Sequence, residues 1–175
     1  MAHACKNELI LQATTAEQLD AVLAAIAGEH QPLSFQRLIT PRRSGDRARE
    51  RAWGTVADVD VPDEAHLAPT QGGDPRGDPA VQLARREGEG VASITFETLW
   101  SPPRPVIREI ARCFPSVTVR FQAVMPTLGL YYCAERLDTG ELHFYDPESR
   151  QDYIALAQDL GLTPLVTVSR ERKAA

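Results

Sequence analysis

The sequence predicts an α+β fold in which two helices pack on one face of an antiparallel sheet. Three observations lead to this prediction. Short apolar segments alternate with polar residues at the two-residue period of a half-buried strand. Two other segments repeat apolar residues at the 3.6-residue period of an amphipathic helix. The order strand, helix, strand occurs twice along the chain, which is typical of a sheet covered by helices on one side.

The first repeat occupies the N-terminal part of the chain. Residues 7–13 (NELILQA) form an apolar run that is predicted to be a strand. Thr15, followed three residues later by Gln18, has the spacing of a capping box, so a helix is expected to start there and to run to about Gly28. Residues 33–39 (LSFQRLI) alternate weakly and are predicted to be the second strand.

The second repeat is the more regular of the two. Apolar and polar residues alternate in residues 91–100 (VASITFETLW) and again in residues 117–124 (VTVRFQAV), so both are predicted strands. Between them, residues 101–115 (SPPRPVIREIARCFP) carry an apolar stripe at helical spacing. Ser101 is expected to cap this helix, whose first turn tolerates proline, and Pro115 is expected to end it.

The C-terminal part adds a hairpin, a helix and a short strand. The segments LGLYYCAERL and ELHFYD flank Asp138, Thr139 and Gly140, a combination that is typical of a hairpin turn. An extension at about 147–169 is then predicted to contain the helix PESRQDYIALAQDLGL and the strand PLVTVS.

The order of these elements is a split β-α-β arrangement, the ferredoxin-like layout of an antiparallel sheet with two helices on one face. This name describes a fold and implies no iron–sulfur cluster. The 175 residues are the size of a single domain. An irregular insertion is expected at about 41–90, because residues 70–79 (TQGGDPRGDP) are rich in glycine and proline, although residues 52–61 (AWGTVADVDV) are expected to form a short extra strand there.

Composition restricts the classes of protein that fit the sequence. Hydrophobic residues make up 43% and charged residues 25%, and no apolar run approaches the roughly 20 residues of a membrane-spanning helix. The N-terminus lacks the features of a secretory signal, so we expect a cytosolic protein without a membrane partner. The three cysteines and four histidines are scattered, which favours reduced thiols and gives no support for a metal site or any cofactor.

Several segments resemble the YubB-type ferredoxin-like domain family, which is encoded largely on plasmids, phages and integrated mobile elements of bacteria. The resemblance is carried in order by CKNELIL, LSFQRLITP, AWGTVADVDV, ITFETLWSPPRPVIREIARCFPSVTVRF and LGLYYCAERLDTGEL, over roughly residues 5–142. The Trp-Ser-Pro-Pro segment is its most specific part. Ala52 stands where members of the family tend to have asparagine before Trp53 and Gly54, so no role of that asparagine transfers to this chain.

The resemblance implies the fold more strongly than a function, because the family has no established activity. Its genomic setting implies plasmid or phage maintenance or counter-defence. The first hypothesis is therefore a non-enzymatic module that binds a bacterial protein, such as an anti-CRISPR inhibitor that covers the basic surface of a nucleic-acid-binding complex. The acidic residues expected to form the contact are Glu135, Asp138, Glu141, Asp146, Glu148 and Asp152.

Two alternatives stay open. Residues 41–51 (PRRSGDRARER) concentrate arginine, which favours a nucleic-acid-binding loop, although the net charge of −5 opposes a phosphate-binding surface over the whole molecule. A small enzyme is the other alternative, with His143 as an acid–base group or with Asp138 in the Asp-Thr-Gly triplet of aspartic proteases, which a hairpin turn also explains. The arginines in question are Arg42, Arg43, Arg47, Arg49 and Arg51.

Overall fold

The computed structural model of the chain describes residues 3–55, 81–85 and 90–166. Within these ranges the protein is an α+β fold of six strands and five helices, and none of these helices is long and apolar enough to cross a membrane. In chain order the elements are β1 (Ala4–Gln12), α1 (Ala16–Ile26), α2 (Phe35–Leu38), α3 (Asp46–Trp53), β2 (Val81–Arg85), β3 (Val91–Leu99), α4 (Arg104–Cys113), β4 (Thr118–Met125), β5 (Leu130–Arg136), β6 (Leu142–Tyr145) and α5 (Arg150–Asp159).

The strands form one sheet in the spatial order β2-β3-β1-β4-β5-β6, and every neighbouring pair is antiparallel. The unit β2-β3-β1-β4 has the strand order of a ferredoxin-like sheet, so the predicted fold class is confirmed. β1 is central in this unit, with Leu9 opposite Ile94 of β3 and opposite Phe121 of β4. The predicted hairpin supplies β5 and β6, which extend the sheet beyond β4.

The second strand of the ferredoxin-like unit is not the predicted one. Residues 33–39 contain the short helix α2 instead, and the hydroxyl of Ser34 caps it by accepting a hydrogen bond from the backbone N–H of Arg37 at 3.3 Å. Phe35 is fully buried, with its ring centroid 6.1 Å from that of Trp53. An apolar run this short fits one helical turn as well as a strand. The strand position is filled by β2.

The predicted insertion and the predicted last strand also differ from expectation. Region 41–90 is not wholly irregular, because it contains α3 and β2. The strand expected at 52–61 begins with the last two residues of α3, and residues 56–61 lie outside the described part of the chain. Residues 164–166 are not in a strand, and the remainder of the segment expected to form the last strand also lies outside the described residues.

The first face of the sheet carries α1 and α4, as predicted, together with α2 and α3. It forms the larger of the two buried clusters. Because each large side chain that becomes buried contributes about 1.5–3 kcal/mol, this face is the main source of apolar stabilisation. Its buried helix residues are Leu19, Val22 and Ile26 of α1, Phe35 of α2, Trp53 of α3, and Val106, Ile107, Ile110 and Ala111 of α4.

The second face is covered along β4 and β5 by α5 and the residues that follow it. Tyr153 of α5 is fully buried, and its hydroxyl donates to Oε1 of Gln122 at 2.6 Å while accepting from the backbone N–H of Leu165 at 2.9 Å. The side-chain nitrogen of Gln122 donates to the carbonyl oxygen of Thr163 at 2.7 Å and also to the carboxylate of Glu8. These bonds attach α5 to the sheet, so this half of the face is closed to a ligand.

Replacing Tyr153 by phenylalanine is expected to lower the free energy of unfolding by about 1–3 kcal/mol, because it leaves Gln122 Oε1 and the N–H of Leu165 without their shared partner. Urea unfolding followed by circular dichroism measures the change. The control is Tyr131→Phe, since the Tyr131 ring stacks on Tyr153 with centroids 5.2 Å apart and its change is expected to cost less than about 0.5 kcal/mol. Equal effects of the two substitutions would contradict the role assigned to the Tyr153 hydroxyl.

Candidate functional site

The Trp-Ser-Pro-Pro segment, residues 100–103, links the end of β3 to α4. Its backbone turns sharply, since Trp100 has a φ of 72°, in the left-handed region. The prediction that Ser101 caps α4 is wrong. Pro103 occupies the N-cap position and makes no side-chain hydrogen bond there, and the hydroxyl of Ser101 donates to the carbonyl oxygen of Gly54 instead.

A chain of buried polar groups fixes this segment to the sheet. The side-chain amide of Asn7, which is 2% exposed, donates to the carbonyl oxygen of Phe96 at 3.3 Å and to Oγ1 of Thr98 at 3.0 Å. The hydroxyl of Thr98 donates in turn to the carbonyl oxygen of Ser101 at 2.8 Å. Burial in the same place raises the pKa of the Cys5 thiol to about 12, so this thiol stays neutral. The segment is therefore held in one position relative to β1 and β3.

The end of α3 forms a second wall of the site. Trp53 is 3% exposed, and its indole N–H donates to the carbonyl oxygen of Ile39 at 2.7 Å. Gly54 follows with a φ of 79°, and a Cβ added to it would lie 3.0 Å from both the carbonyl oxygen of Pro102 and Cδ of Pro105. Only glycine therefore fits between the end of α3 and the start of α4 without movement of the neighbouring backbone.

A cleft of about 370 Å³ opens beside these two walls and β5. Its volume is within the range of small-ligand sites. It offers the N–H groups of two guanidinium groups and the hydroxyl groups of a serine and a tyrosine, and the described residues that line it include no carboxylate, imidazole or thiol. The lining residues are Gly54, Ser101, Pro102, Arg104, Pro105, Arg108 and Tyr132.

Aromatic rings hold the two arginines of the cleft. The guanidinium carbon of Arg104 lies 4.8 Å from the ring centroid of Tyr132 and 5.3 Å from that of Phe144. The guanidinium carbon of Arg108 lies 4.8 Å from the centroid of Phe144. Arg104 is also ion-paired with Asp146, whereas Arg108 is exposed and has no carboxylate within salt-bridge distance among the described residues. Arg108 therefore offers a positioned positive charge to an anion.

The phenol of Tyr132 remains a hydrogen-bond donor in this environment. Partial burial raises its pKa above the ordinary value, and the positive charge of Arg104 offsets only part of that rise. The cleft can therefore bind an anion or a neutral acceptor through guanidinium and hydroxyl groups. Within the described residues, its lining contains no carboxylate, imidazole or thiol that would serve as a general base or an activated nucleophile.

The arginines predicted to bind nucleic acid lie beside this cleft. The segment was expected to be a loop but is largely helical, and its arginines are all exposed, although Arg49 lies 3.8 Å from the carboxylate of Asp46. Because α3 ends at Gly54 in the cleft wall, the helix that carries most of them and the cleft share a boundary. The residues are Arg42 and Arg43 before α3, and Arg47, Arg49 and Arg51 on it.

The sequence predictions missed Arg104 and Arg108. The two residues are four positions apart on α4, which places them on the same side of the helix and away from its apolar stripe. That spacing was the available signal. Their contacts with Tyr132 and Phe144 could not be anticipated, because these contacts depend on how β5 and β6 pack next to α4.

The six acidic residues of the first hypothesis do not form one unengaged surface. Asp146 pairs with an arginine of the cleft. The carboxylate of Glu135 accepts a hydrogen bond from the hydroxyl of Tyr145 at 3.0 Å, and that of Asp152 accepts one from a serine hydroxyl at 2.6 Å at the start of α5. The other three are exposed, namely Asp138 and Glu141 in the turn between β5 and β6, and Glu148 before α5.

Both residues considered for catalysis are exposed in the β5–β6 hairpin. The ring of His143 makes an edge contact with that of Tyr145, with centroids 4.5 Å apart. Asp138 belongs to the turn, in which Gly140 has a φ of 87° and its N–H donates to the carbonyl oxygen of Leu137 at 2.8 Å. Turn geometry thus accounts for the Asp-Thr-Gly triplet. Residues 3–55, 81–85 and 90–166 contain no group of three or more side chains suited to hold a metal ion.

The fold and the cleft together define a ferredoxin-like α+β protein with an arginine-lined cleft. Residues 82–160 match the family described as the ferredoxin-like domain in Api92-like protein. The match covers less than half of the 175 residues and includes every element that borders the cleft except α3. Comparison of the chain with curated proteins gave no match, and comparison with solved structures gave none either. The match supports a ferredoxin-like domain family and carries no activity.

Replacing Gly54 by alanine is expected to lower the free energy of unfolding by more than the about 1–2 kcal/mol that a left-handed backbone costs any residue with a Cβ, because the new methyl group meets Pro102 and Pro105. Gly129→Ala is the matched control. Gly129 has a φ of 63° and nothing within 4 Å of the added Cβ, so it reports the backbone cost alone. Urea unfolding compares the two variants, and an equal loss in both would show that the contact between α3 and α4 is not tight.

Proposed function

We propose that this chain is a non-enzymatic binding module that holds the phosphate groups of a nucleic acid. The observation that carries the proposal is the exposed guanidinium group of Arg108, which rests over Phe144 beside a cleft that α3 borders. The proposed contact region, named the arginine surface, consists of Arg42, Arg43, Arg47, Arg49, Arg51, Arg104 and Arg108.

The chemistry of the guanidinium group favours a phosphate as the ligand. Its planar set of N–H donors matches two phosphate oxygens at once, and it stays charged at every physiological pH. Stacking on Phe144 restricts the rotamers of Arg108 before a ligand arrives, which lowers the conformational entropy lost on binding. Arg104 is already paired with Asp146, so its expected part is to shape the cleft while Arg108 makes the contact.

The net charge of −5 does not oppose a local phosphate site. Exposed charges farther apart than the Debye length, about 10 Å at 0.1 M salt, are largely screened from each other. Residues 41–51 hold five arginines and only two acidic residues. A local excess of cations of this kind is sufficient for phosphate contacts, whereas a positive net charge over the whole molecule is not required.

Replacing Arg47, Arg51 and Arg108 together by alanine is expected to weaken binding of a labelled oligonucleotide at low salt by about ten-fold or more. The plot of log K against log salt concentration should also become less steep, by about one for each arginine that contacts a phosphate. Fluorescence anisotropy at a series of salt concentrations measures both quantities.

Arg112→Ala is the matched control for this experiment. Arg112 lies on the same helix as Arg108 and its loss changes the net charge equally, but its guanidinium group is held by Glu109 at 2.6 Å. It should therefore bind like the unaltered chain. If the unaltered chain gave no anisotropy change with DNA or RNA at low salt, or if the control lost as much affinity as the triple variant does for each arginine, the proposal would be refuted.

A protein partner is the second candidate, favoured by the exposure of Asp138, Glu141 and Glu148. In this version the chain is a counter-defence inhibitor of the anti-CRISPR kind from a mobile element, and its acidic side chains cover the basic surface of a bacterial nucleic-acid-binding complex. The resemblance of the Trp-Ser-Pro-Pro segment to a family from plasmids and phages supports this candidate.

Phage plating on cells that carry an active defence system tests the second candidate. Expression of the chain should restore plating, and the variant Asp138→Asn, Glu141→Gln, Glu148→Gln should reduce that effect by about ten-fold or more, because it removes the charge that would contact the basic surface. The arginine variant Arg47→Ala, Arg51→Ala, Arg108→Ala should keep the effect. Unchanged plating against several defence systems would exclude this candidate.

A further inference from the structure

The exposed aromatic residue next to the cleft is Trp100. It keeps 51% of its surface accessible, whereas Trp53 is 3% exposed in the core. Its indole ring meets the ring of His3 edge-on, with centroids 5.5 Å apart and an interplanar angle of 77°. His3 is itself held, since its Nδ1 lies 3.1 Å from Oγ1 of Thr127 and its carbonyl oxygen accepts from the backbone N–H of Trp100 at 2.9 Å. The ring is therefore both exposed and positioned.

The backbone of Trp100 is strained. Among the described residues it is the only one other than glycine with a positive φ, at 72°. A Cβ in the left-handed region is unfavourable, and a bulky aromatic residue there is uncommon. Glycine would relieve the strain and no buried contact would be lost, because the side chain is half exposed. Core packing therefore does not explain a tryptophan at this position, and backbone strain of this kind clusters at functional sites.

Trp100 and the arginine surface belong to one continuous region. Ser101, the next residue along the chain, lines the cleft together with Arg104 and Arg108. A stacking ring and a positioned guanidinium group thus flank a single turn of backbone. This pairing of an aromatic platform with arginine is the arrangement that proteins use to bind single-stranded nucleic acid, whose bases stack on the ring while the phosphates meet the cations.

We propose that the ligand is single-stranded nucleic acid, with a base stacked on Trp100 and a neighbouring phosphate bound by Arg108. The inference rests on the phosphate-binding function proposed above and adds the class of nucleic acid. In a duplex each base face is already covered by the adjacent base pairs, so it cannot stack on the indole. Phosphate contacts alone would hold both forms, and the tryptophan makes the site favour the single strand.

The test uses the full chain and the fluorescence of its two tryptophans. Titration with a single-stranded oligonucleotide should quench the exposed indole of Trp100 and leave the buried Trp53 nearly unaffected. Anisotropy of a labelled strand and of the matching duplex gives the two affinities. The unaltered chain should bind the single strand about ten-fold or more tightly than the duplex at equal salt, since stacking strengthens only that complex.

Three variants separate stacking from other effects. Trp100→Gly should lose about ten-fold or more in affinity for the single strand and little for the duplex, and it should fold at least as stably because glycine suits the positive φ. Trp100→Phe should recover part of the affinity, since phenylalanine also stacks. Leu128→Ala, which removes another exposed apolar side chain (47% exposed), should change neither affinity.

The outcomes separate this inference from the function on which it rests. Equal affinity for strand and duplex, or a Trp100→Gly variant that binds the strand normally, would overturn the stacking role even if Arg47→Ala, Arg51→Ala, Arg108→Ala abolishes binding. Absence of binding to strand and duplex alike would overturn both proposals. A selective loss in Trp100→Gly, with quenching in the unaltered chain, supports both.

Discussion

One buried amide determines how the sheet, the Trp-Ser-Pro-Pro segment and α3 fit together. Asn7 lies on the helix-covered face of the central strand, where an unpaired polar group would be costly. Its bonds to Phe96 and Thr98 fix the end of β3, and Thr98 passes the constraint to Ser101. Because Ser101 also donates to Gly54, the two walls of the cleft are positioned by hydrogen bonds that begin inside the core.

The two faces of the sheet have different partners, and this decides where a ligand can reach the protein. Helices α1 to α4 pack on one face, while α5 closes the other along β4 and β5. Many RNA-binding domains with this type of sheet place their stacking aromatics on an open sheet face. Here Tyr153 and Gln122 are bonded to each other on that face. The proposed site consequently lies at the end of β3 and the start of α4, at the rim of the sheet.

The sequence predicted the elements whose periodicity is long and regular, and it failed where a few residues had to be assigned. β1, β3, β4, the hairpin and helices α1, α4 and α5 follow from apolar patterns of eight residues or more or from clear turn residues. The segment around Phe35 was too short to separate a turn of helix from a strand. Ser101 was a sound cap by residue type, but Gly54 took its hydroxyl, and only the tertiary structure shows that. For the same reason the position of Arg108 over Phe144 was out of reach, while the exposed arginines of residues 41–51 were visible from composition alone.

The prolines at the start of α4 give the cleft a particular electrostatic character. Pro102, Pro103 and Pro105 have no backbone N–H, and the N–H groups of Arg104 and Val106 are already bonded to carbonyl oxygens within the turn. The helix end therefore contributes few free donors of its own, although helix ends commonly bind anions through them. Attraction for an anion comes from side chains that do not titrate, so the cleft keeps the same charge across the physiological pH range, and evolution can strengthen, weaken or abolish it by exchanging single arginines without rebuilding the backbone.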